Sequence, residues 1–194
     1  MEITPRQFEI IEAAGKILTS SGVSGLTIKN LAKEMQFSES AIYRHFASKE
    51  EIIIAMLDYL SETMDELLRN TIQVDDNPEA KFKSVFQNLI DFFIKNPQFV
   101  VAVFSDGLME ESQRINQNLL RLMNVLMKHL MPVIMVGQQK GVLTNTITTE
   151  EMMHIVIGTF KLQMFKWKIA GFQFDIERAG KNMVHSLLTL IKNK

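Results

Sequence analysis

The sequence predicts an all-α protein of about nine helices, on three observations. Apolar residues recur at i, i+3, i+4 and i+7 along most of the 194 residues, the spacing that gives a helix one buried face. Thr, Ser, Asn, Asp, Pro and Gly stand where those stretches start and stop. No stretch shows the strict alternation of a half-buried strand, and no internal repeat occurs.

The first helix begins at Thr4, which pairs with Gln7 as a capping box, with Pro5 in the first helical position. Phe8, Ile11, Ala14, Ile17 and Leu18 form its stripe, and Gly22 ends it. Thr27 caps a second, two-turn helix with Ile28, Leu31, Ala32 and Met35 on one side. A break follows at Gln36 and Phe37, and Ser38 caps a third helix anchored by Ile42 and Phe46. Ser48 opens the next helix as a capping box with Glu51, and apolar residues from Ile52 to Leu68 carry it to about Asn70.

After the loop TIQVDDNPEA, Asn77 and Pro78 restart a helix that Asn96 and Pro97 end. Residues 97–113 read as helix with a bend at Asp106 and Gly107. A long amphipathic helix spans about 115–139, with Pro132 kinking or dividing it and Gly141 near its end. Thr148 and Glu151 form a third capping box, and two last helices follow at about 149–170 and 175–192. Gly171 and Phe172 separate those two, and Asp175 caps the second.

With 46% apolar and 22% charged residues, the chain has material for one large or two small folded domains. It has no cysteine, which excludes disulfides and thiolate metal sites and agrees with a cytoplasmic location. The opening MEITPRQFEI is no export signal, and no run of 18 uninterrupted apolar residues occurs, so neither export nor membrane spanning is expected. Net charge is −1, but residues 1–49 hold six Lys and Arg against five acids, +1 in that span and −2 over the rest. Any nucleic-acid footprint is therefore a small local patch with few phosphate contacts per subunit.

That patch falls on residues 27–51. With Ile42 and Phe46 inward, a step of about 100° per residue turns Ser40, Tyr43, Arg44 and Ala47 outward, flanked by Glu39 and Ala41. Small residues at a helix start let it approach base edges, while Tyr, Arg and His reach phosphates beside them. Lys49, at the first turn of the following helix, can meet a phosphate together with the free backbone N–H groups there.

The stretch LTIKNLAKEMQFSESAIYRHFASKEEI resembles the DNA-binding signature of the TetR family of bacterial transcriptional regulators. The likeness covers residues 8–56 and rests on Ala13, Ala14, Gly22, Thr27, Ile28, Leu31, Ala32, Ser38, Ile42, Tyr43, His45, Phe46, Ser48, Lys49 and Glu50 in order. The chain departs from the family at Gln36, where Gly is usual at the turn; either the turn tolerates another residue or Gln36 is held left-handed. Glu39 also departs, and its carboxylate either accepts from cytosine N4 or complements the helix N-terminus.

The resemblance implies a three-helix helix-turn-helix head followed by a larger helical domain that binds a ligand and dimerises. The head is assigned to 1–48 and the effector domain to 49–194, with 49–70 linking them. The expected DNA-contact set is Thr27, Lys29, Ser38, Glu39, Ser40, Ala41, Tyr43, Arg44, His45 and Lys49. Lys29 is either a base- or phosphate-reaching residue or a solvated surface lysine.

Residues 78–170 are rich in Phe and Met, which line greasy cavities and also fill ordinary cores. Phe92, Phe93, Phe104, Met123, Met127, Phe160, Met164 and Trp167 are the candidate pocket wall. The helix at 149–170 has a second apolar stripe, Ile155, Leu162, Phe165 and Ile169, that one bundle cannot bury. With Val184, Leu188 and Ile191 of the last helix it forms the candidate dimer interface.

Glu151 and His154 have the i, i+3 spacing of carboxylate-bridged metal bundles, but no second such motif occurs, so no metal is expected. No catalytic motif stands out, and no cofactor or enzymatic activity is expected. The expected partners are a double-stranded operator, a small apolar or amphipathic effector and a second copy of the chain. The competing reading is a helical apolar-ligand carrier or enzyme that retains the head, and specific DNA binding separates the two.

Overall fold

The computed structural model describes residues 3–73, 76–104, 106–109 and 112–193. Those residues form ten helices: α1 (Pro5–Gly25), α2 (Ile28–Met35), α3 (Glu39–Tyr43), α4 (Lys49–Ile72), α5 (Pro78–Lys95), α6 (Pro97–Val103), α7 (Asp106–Met109), α8 (Gln113–Gln139), α9 (Thr149–Ile169) and α10 (Ile176–Ile191). Nine are of the expected kind, and α7 is a single extra turn of four residues. Among the described residues the only β pairing is an isolated bridge, Leu143 to Lys192.

The caps read from sequence are in place. Thr4 and Gln7, and Thr148 and Glu151, close reciprocal capping boxes, while Asn77 and Asp175 accept from the first turns of α5 and α10. Gly22 breaks the helical path with φ 67° and ψ −171°, but a short helical stretch resumes and extends α1 to Gly25. Pro132 neither divides nor ends α8, which runs through it for 27 residues. Its ring is exposed while Leu130, Val133 and Ile134 beside it are buried, so packing holds the helix across one missing backbone bond.

The chain forms two compact units. The first comprises residues 1–62 and 97–122, the second 63–96 and 123–194. This differs from the sequence division at residue 48: the unit boundary falls inside α4, and α6, α7 and the start of α8 belong with the head. The reason is packing that a linear pattern does not show. In the first unit α1 lies against both α2 and α6, and Gly15 of α1 leaves the space that the Gln98 side chain of α6 occupies. The Phe8 and Tyr59 rings meet edge to face at 5.3 Å, and Tyr59 meets Phe99 at 6.2 Å.

In the second unit α10 packs on α5 and α9. The α5–α10 approach is close because Gly180 has no side chain; a Cβ there would sit 2.1 Å from Ile90 Cδ1. Phe82, Phe86 and Phe93 of α5 and Phe160 of α9 form the centre of this core, with exposures of 0–4%.

Helices α4 and α8 carry a charge pattern of seven-residue period. In the first unit Arg114 donates to Glu51 at 2.7 Å and Arg121 to Asp58 at 2.9 Å. In the second, Lys128 donates to Asp65 at 2.8 Å. Each pair spans the same 63 residues of sequence, so the partners rise together along two parallel helices.

Candidate functional site

Helix α2, the turn and α3 build a helix-turn-helix from local signals. The Thr27 hydroxyl accepts from the Asn30 N–H at 3.1 Å, and the Asn30 side chain donates to the Gly25 carbonyl at 2.8 Å. Gln36 adopts φ 56° and ψ 39°, the left-handed alternative of the two readings for this turn. The Phe37 N–H reaches back to the Ala32 carbonyl at 2.8 Å, closing the end of α2 around it. A non-glycine side chain in that region costs about 1 kcal/mol or more, which the buried Leu31, Ala32 and Ile42 on either side offset.

Ser38 caps α3 through the Ala41 N–H at 3.2 Å. Ile42 is fully buried and Phe46 is 7% exposed, so these two anchor the helix. Ser40, Tyr43, Arg44 and His45 are exposed, and Tyr43 presents 51% of its surface. Glu39 is exposed at the helix start and Ala41 is half-buried. Thr27 and Lys29 stand exposed at the start of α2, and Lys49 is the half-buried first residue of α4. Beside Lys49, Glu50 and Glu51 are held by Arg114 at 2.9 and 2.7 Å, which offsets their negative charge next to an anion-facing end. The ten expected DNA-contact residues thus lie together in the first unit, with the Thr27 and Ser38 hydroxyls also serving as caps.

Two contacts escape sequence reasoning. The Gln7 side-chain amide donates to the His45 carbonyl at 3.2 Å, and the Arg6 guanidinium lies 5.2 Å from the centre of the Phe37 ring. Gln7 is visible in sequence as a capping residue, but nothing local signals a second partner 38 residues away.

The candidate effector residues divide. In the second unit, Phe86 lies 5.4 Å from Phe160, and Phe93 lies 6.3 Å from Phe160, ring centre to ring centre. Met164 and Trp167 are buried beside them along α9, and Phe92 and Met127 are half-buried. Met123 is 49% exposed and is no pocket wall in this conformation, since its position on α8 turns it to solvent. Phe104 is buried but belongs to the first unit. Trp167 packs edge to face on Phe172 at 4.8 Å. Its indole N–H is a buried donor without a hydrogen-bond partner among the described residues. A separate groove of about 360 Å³ between α5 and α10 has an apolar floor of Ile90, Gly180 and Val184 and a polar rim of Lys83, Gln87, Lys181 and His185.

The candidate interface residues divide as well. Ile155, Leu162 and Ile169 on α9 are 45, 58 and 67% exposed, and Phe165 is half-buried. Val184, Leu188 and Ile191 are 8, 4 and 2% exposed, so these α10 residues serve the chain's own core and are removed from the interface set. The error is one of phase: α10 has a single apolar face, and it is turned toward α5 and α9.

Residues 10–56 match the family model for bacterial regulatory proteins of the tetR family, and residues 58–191 match the model for the C-terminal region of YsiA-like proteins. The chain is 26% identical over 129 residues to the nucleoid occlusion factor SlmA of Marinomonas sp., a match covering 66% of each chain. It spans about 60 to 66% of the length of the first curated relatives it matches. In fold it resembles the fatty acid degradation regulator FadR of Bacillus halodurans, with TM-score 0.86, 18% identity and 97% of each chain covered. It also resembles the regulator FadR of Bacillus subtilis in complex with stearoyl-CoA, with TM-score 0.83, 16% identity, and 94% of this chain and 97% of that one covered.

Proposed function

The chain belongs to the TetR family of bacterial regulatory proteins, and from that premise we propose that it is a cytoplasmic, homodimeric repressor released from a near-palindromic operator by an apolar or amphipathic effector. The observation that carries the DNA-binding part is α3: anchored by Ile42 and Phe46, it turns Ser40, Tyr43, Arg44 and His45 outward as one surface. Ser40 and Ala41 at its start are small enough to approach base edges, and Tyr43, Arg44, His45 and Lys49 have side chains suited to the phosphates that flank a major groove.

Dimerisation is supported by the exposed α9 stripe. Ile155, Leu162 and Ile169 recur every seven residues, and Gly158 between them has no neighbour within 4 Å of where a Cβ would stand. A two-fold axis there would pair the stripe with itself, and the operator to expect for a two-fold dimer has half-sites roughly 34 Å apart, one helical turn of DNA.

An effector with a long apolar body suits the Phe and Met content of the second unit, and a carbonyl on it would satisfy the Trp167 indole N–H. The stearoyl-CoA of the Bacillus subtilis FadR complex makes acyl thioesters the first ligands to test. Because Trp167 is the single tryptophan, its fluorescence reads that site directly.

Selection of bound duplexes from a random pool, followed by titration with acyl thioesters, tests the proposal. A recovered near-palindrome, released by ligand with reciprocal weakening of ligand binding by DNA, is the expected result. Independence of the two affinities removes the effector role, and recovery of no preferred sequence removes the regulator reading.

Tyr43→Ala and Lys49→Ala are each expected to weaken binding to all duplexes alike. Each should also make the slope of log K against log salt shallower by about one, the share of a single phosphate. Unchanged slopes in both variants would refute the phosphate assignment.

A further inference from the structure

Helix α3 has five residues, too few to be stable alone, since a helix of that length barely exceeds its own nucleus. Its pose must come from what it touches. Ile42 and Phe46 hold one side of it in the core, and the Ile42 carbonyl accepts from the His45 and Phe46 N–H groups at 2.9 and 3.1 Å, which leaves the His45 carbonyl, beyond the helix end, to be held from another element. The first turn of α1 adds a contact on each side of α3. Arg6 lies over the ring of Phe37, just before α3, and Gln7 holds the carbonyl of His45, just after it.

Gln7 does this with two different atoms. Its Oε1 accepts from the Thr4 N–H at 3.1 Å, closing the capping box, while its Nε2 donates to the His45 carbonyl at 3.2 Å. A capping box is satisfied equally by Glu or Gln. Only an amide can accept at one end and donate at the other.

We propose that Gln7 is a positioning residue for operator recognition: by holding the His45 carbonyl it sets the tilt of α3, and with it the approach of Ser40 and Ala41 to base edges, without touching DNA itself. This rests on the DNA-binding reading above. Loss of one neutral hydrogen bond that matters only for docking corresponds to about fivefold in specific affinity per subunit.

The test compares Gln7→Ala and Gln7→Glu with the unmodified protein on two duplexes, the one recovered by random-pool selection and a random-sequence control of equal length. Gln7→Glu keeps the acceptor for Thr4 and so preserves the start of α1, which guards against misfolding as the explanation. For Gln7→Ala the selected duplex should bind about fivefold more weakly per subunit, the control should bind as before, and the salt slope should stay unchanged. Gln7→Glu should lose at least as much on the selected duplex, with a far-ultraviolet dichroism spectrum and melting curve like those of the unmodified protein.

Wild-type affinity in both variants overturns the proposal. So does a reduced salt slope in Gln7→Ala, which makes the residue a phosphate contact, or an equal loss on both duplexes, which makes its role merely structural. Tyr43→Ala and Lys49→Ala, run alongside, separate this failure from failure of the DNA-binding reading: in that case they too leave binding to both duplexes unchanged.

Discussion

Leu162→Glu combined with Ile169→Glu is expected to yield a folded monomer that no longer binds its operator. The two side chains are 58 and 67% exposed in the isolated chain, so charging them disturbs no internal packing. Across a two-fold axis each change occurs twice, placing four like charges in an apolar seam. Each aliphatic side chain withdrawn from that seam removes about 1.5 kcal/mol or more, and desolvating unpaired carboxylates costs several kcal/mol further. The dimer dissociation constant should rise by at least about a thousandfold, since every 1.4 kcal/mol is a factor of ten. Specific binding disappears with the dimer, because each head alone makes few phosphate contacts and the second half-site no longer benefits from being tethered.

Leu188→Glu is the informative control. At 4% exposure it should unfold the chain rather than divide it. Sedimentation gives the oligomeric state and far-ultraviolet dichroism the fold. A double variant that stays dimeric, or an unmodified protein that is monomeric at micromolar concentration, contradicts the α9 interface.

Asp65→Asn should lower the unfolding free energy by about 2–3 kcal/mol at neutral pH. Asp65 receives Lys128 at 2.8 Å and Arg69, and its Oδ1 lies 2.8 Å from Nε2 of His129, whose side chain is only 6% exposed. The Lys128 and His129 hydrogen bonds, with Arg69 helping, hold the Asp65 carboxyl far below the usual carboxylate range. Its pKa in the folded chain is thus depressed relative to the unfolded value of about 4. The stability it contributes is present in full above that value and is lost as pH falls below it. Denaturant melts should therefore show the gap between the unmodified protein and Asp65→Asn wide at pH 7 and narrowing on acidification below about pH 4. A gap independent of pH would show that Asp65 acts through packing and not through its charge.

How far the chain could be read without its structure depends on the range of the interaction concerned. Helix starts were legible because a cap lies within three residues of what it caps: Thr4, Thr27, Ser38, Asn77, Thr148 and Asp175 all accept from their own first turns. The outward set Ser40, Tyr43, Arg44 and Ala47, all exposed in the structure, was legible because two inward residues, Ile42 and Phe46, set the phase of a short helix. The exposed α9 stripe was legible because one helix carried more apolar surface than one side can bury.

Other features needed the tertiary structure. Pattern alone counts apolar faces but does not say which neighbour covers each, so Leu188 and Ile191 looked available for a partner until α10 was seen packed on α5 and α9. Met123 shares the composition of a pocket wall, and only the rotation of α8 shows it in solvent. The second partner of Gln7 lies 38 residues away, and the 63-residue offset of the α4–α8 ion pairs became meaningful only once the two helices were seen side by side in each unit. By itself the sequence determined local structure, the family and the outward face proposed to meet DNA, because hydrogen-bonding caps and helical phase act over a few residues. Which apolar faces are buried within the chain, and what holds the recognition helix in place, was decided by tertiary structure, because those contacts join residues that no local rule relates.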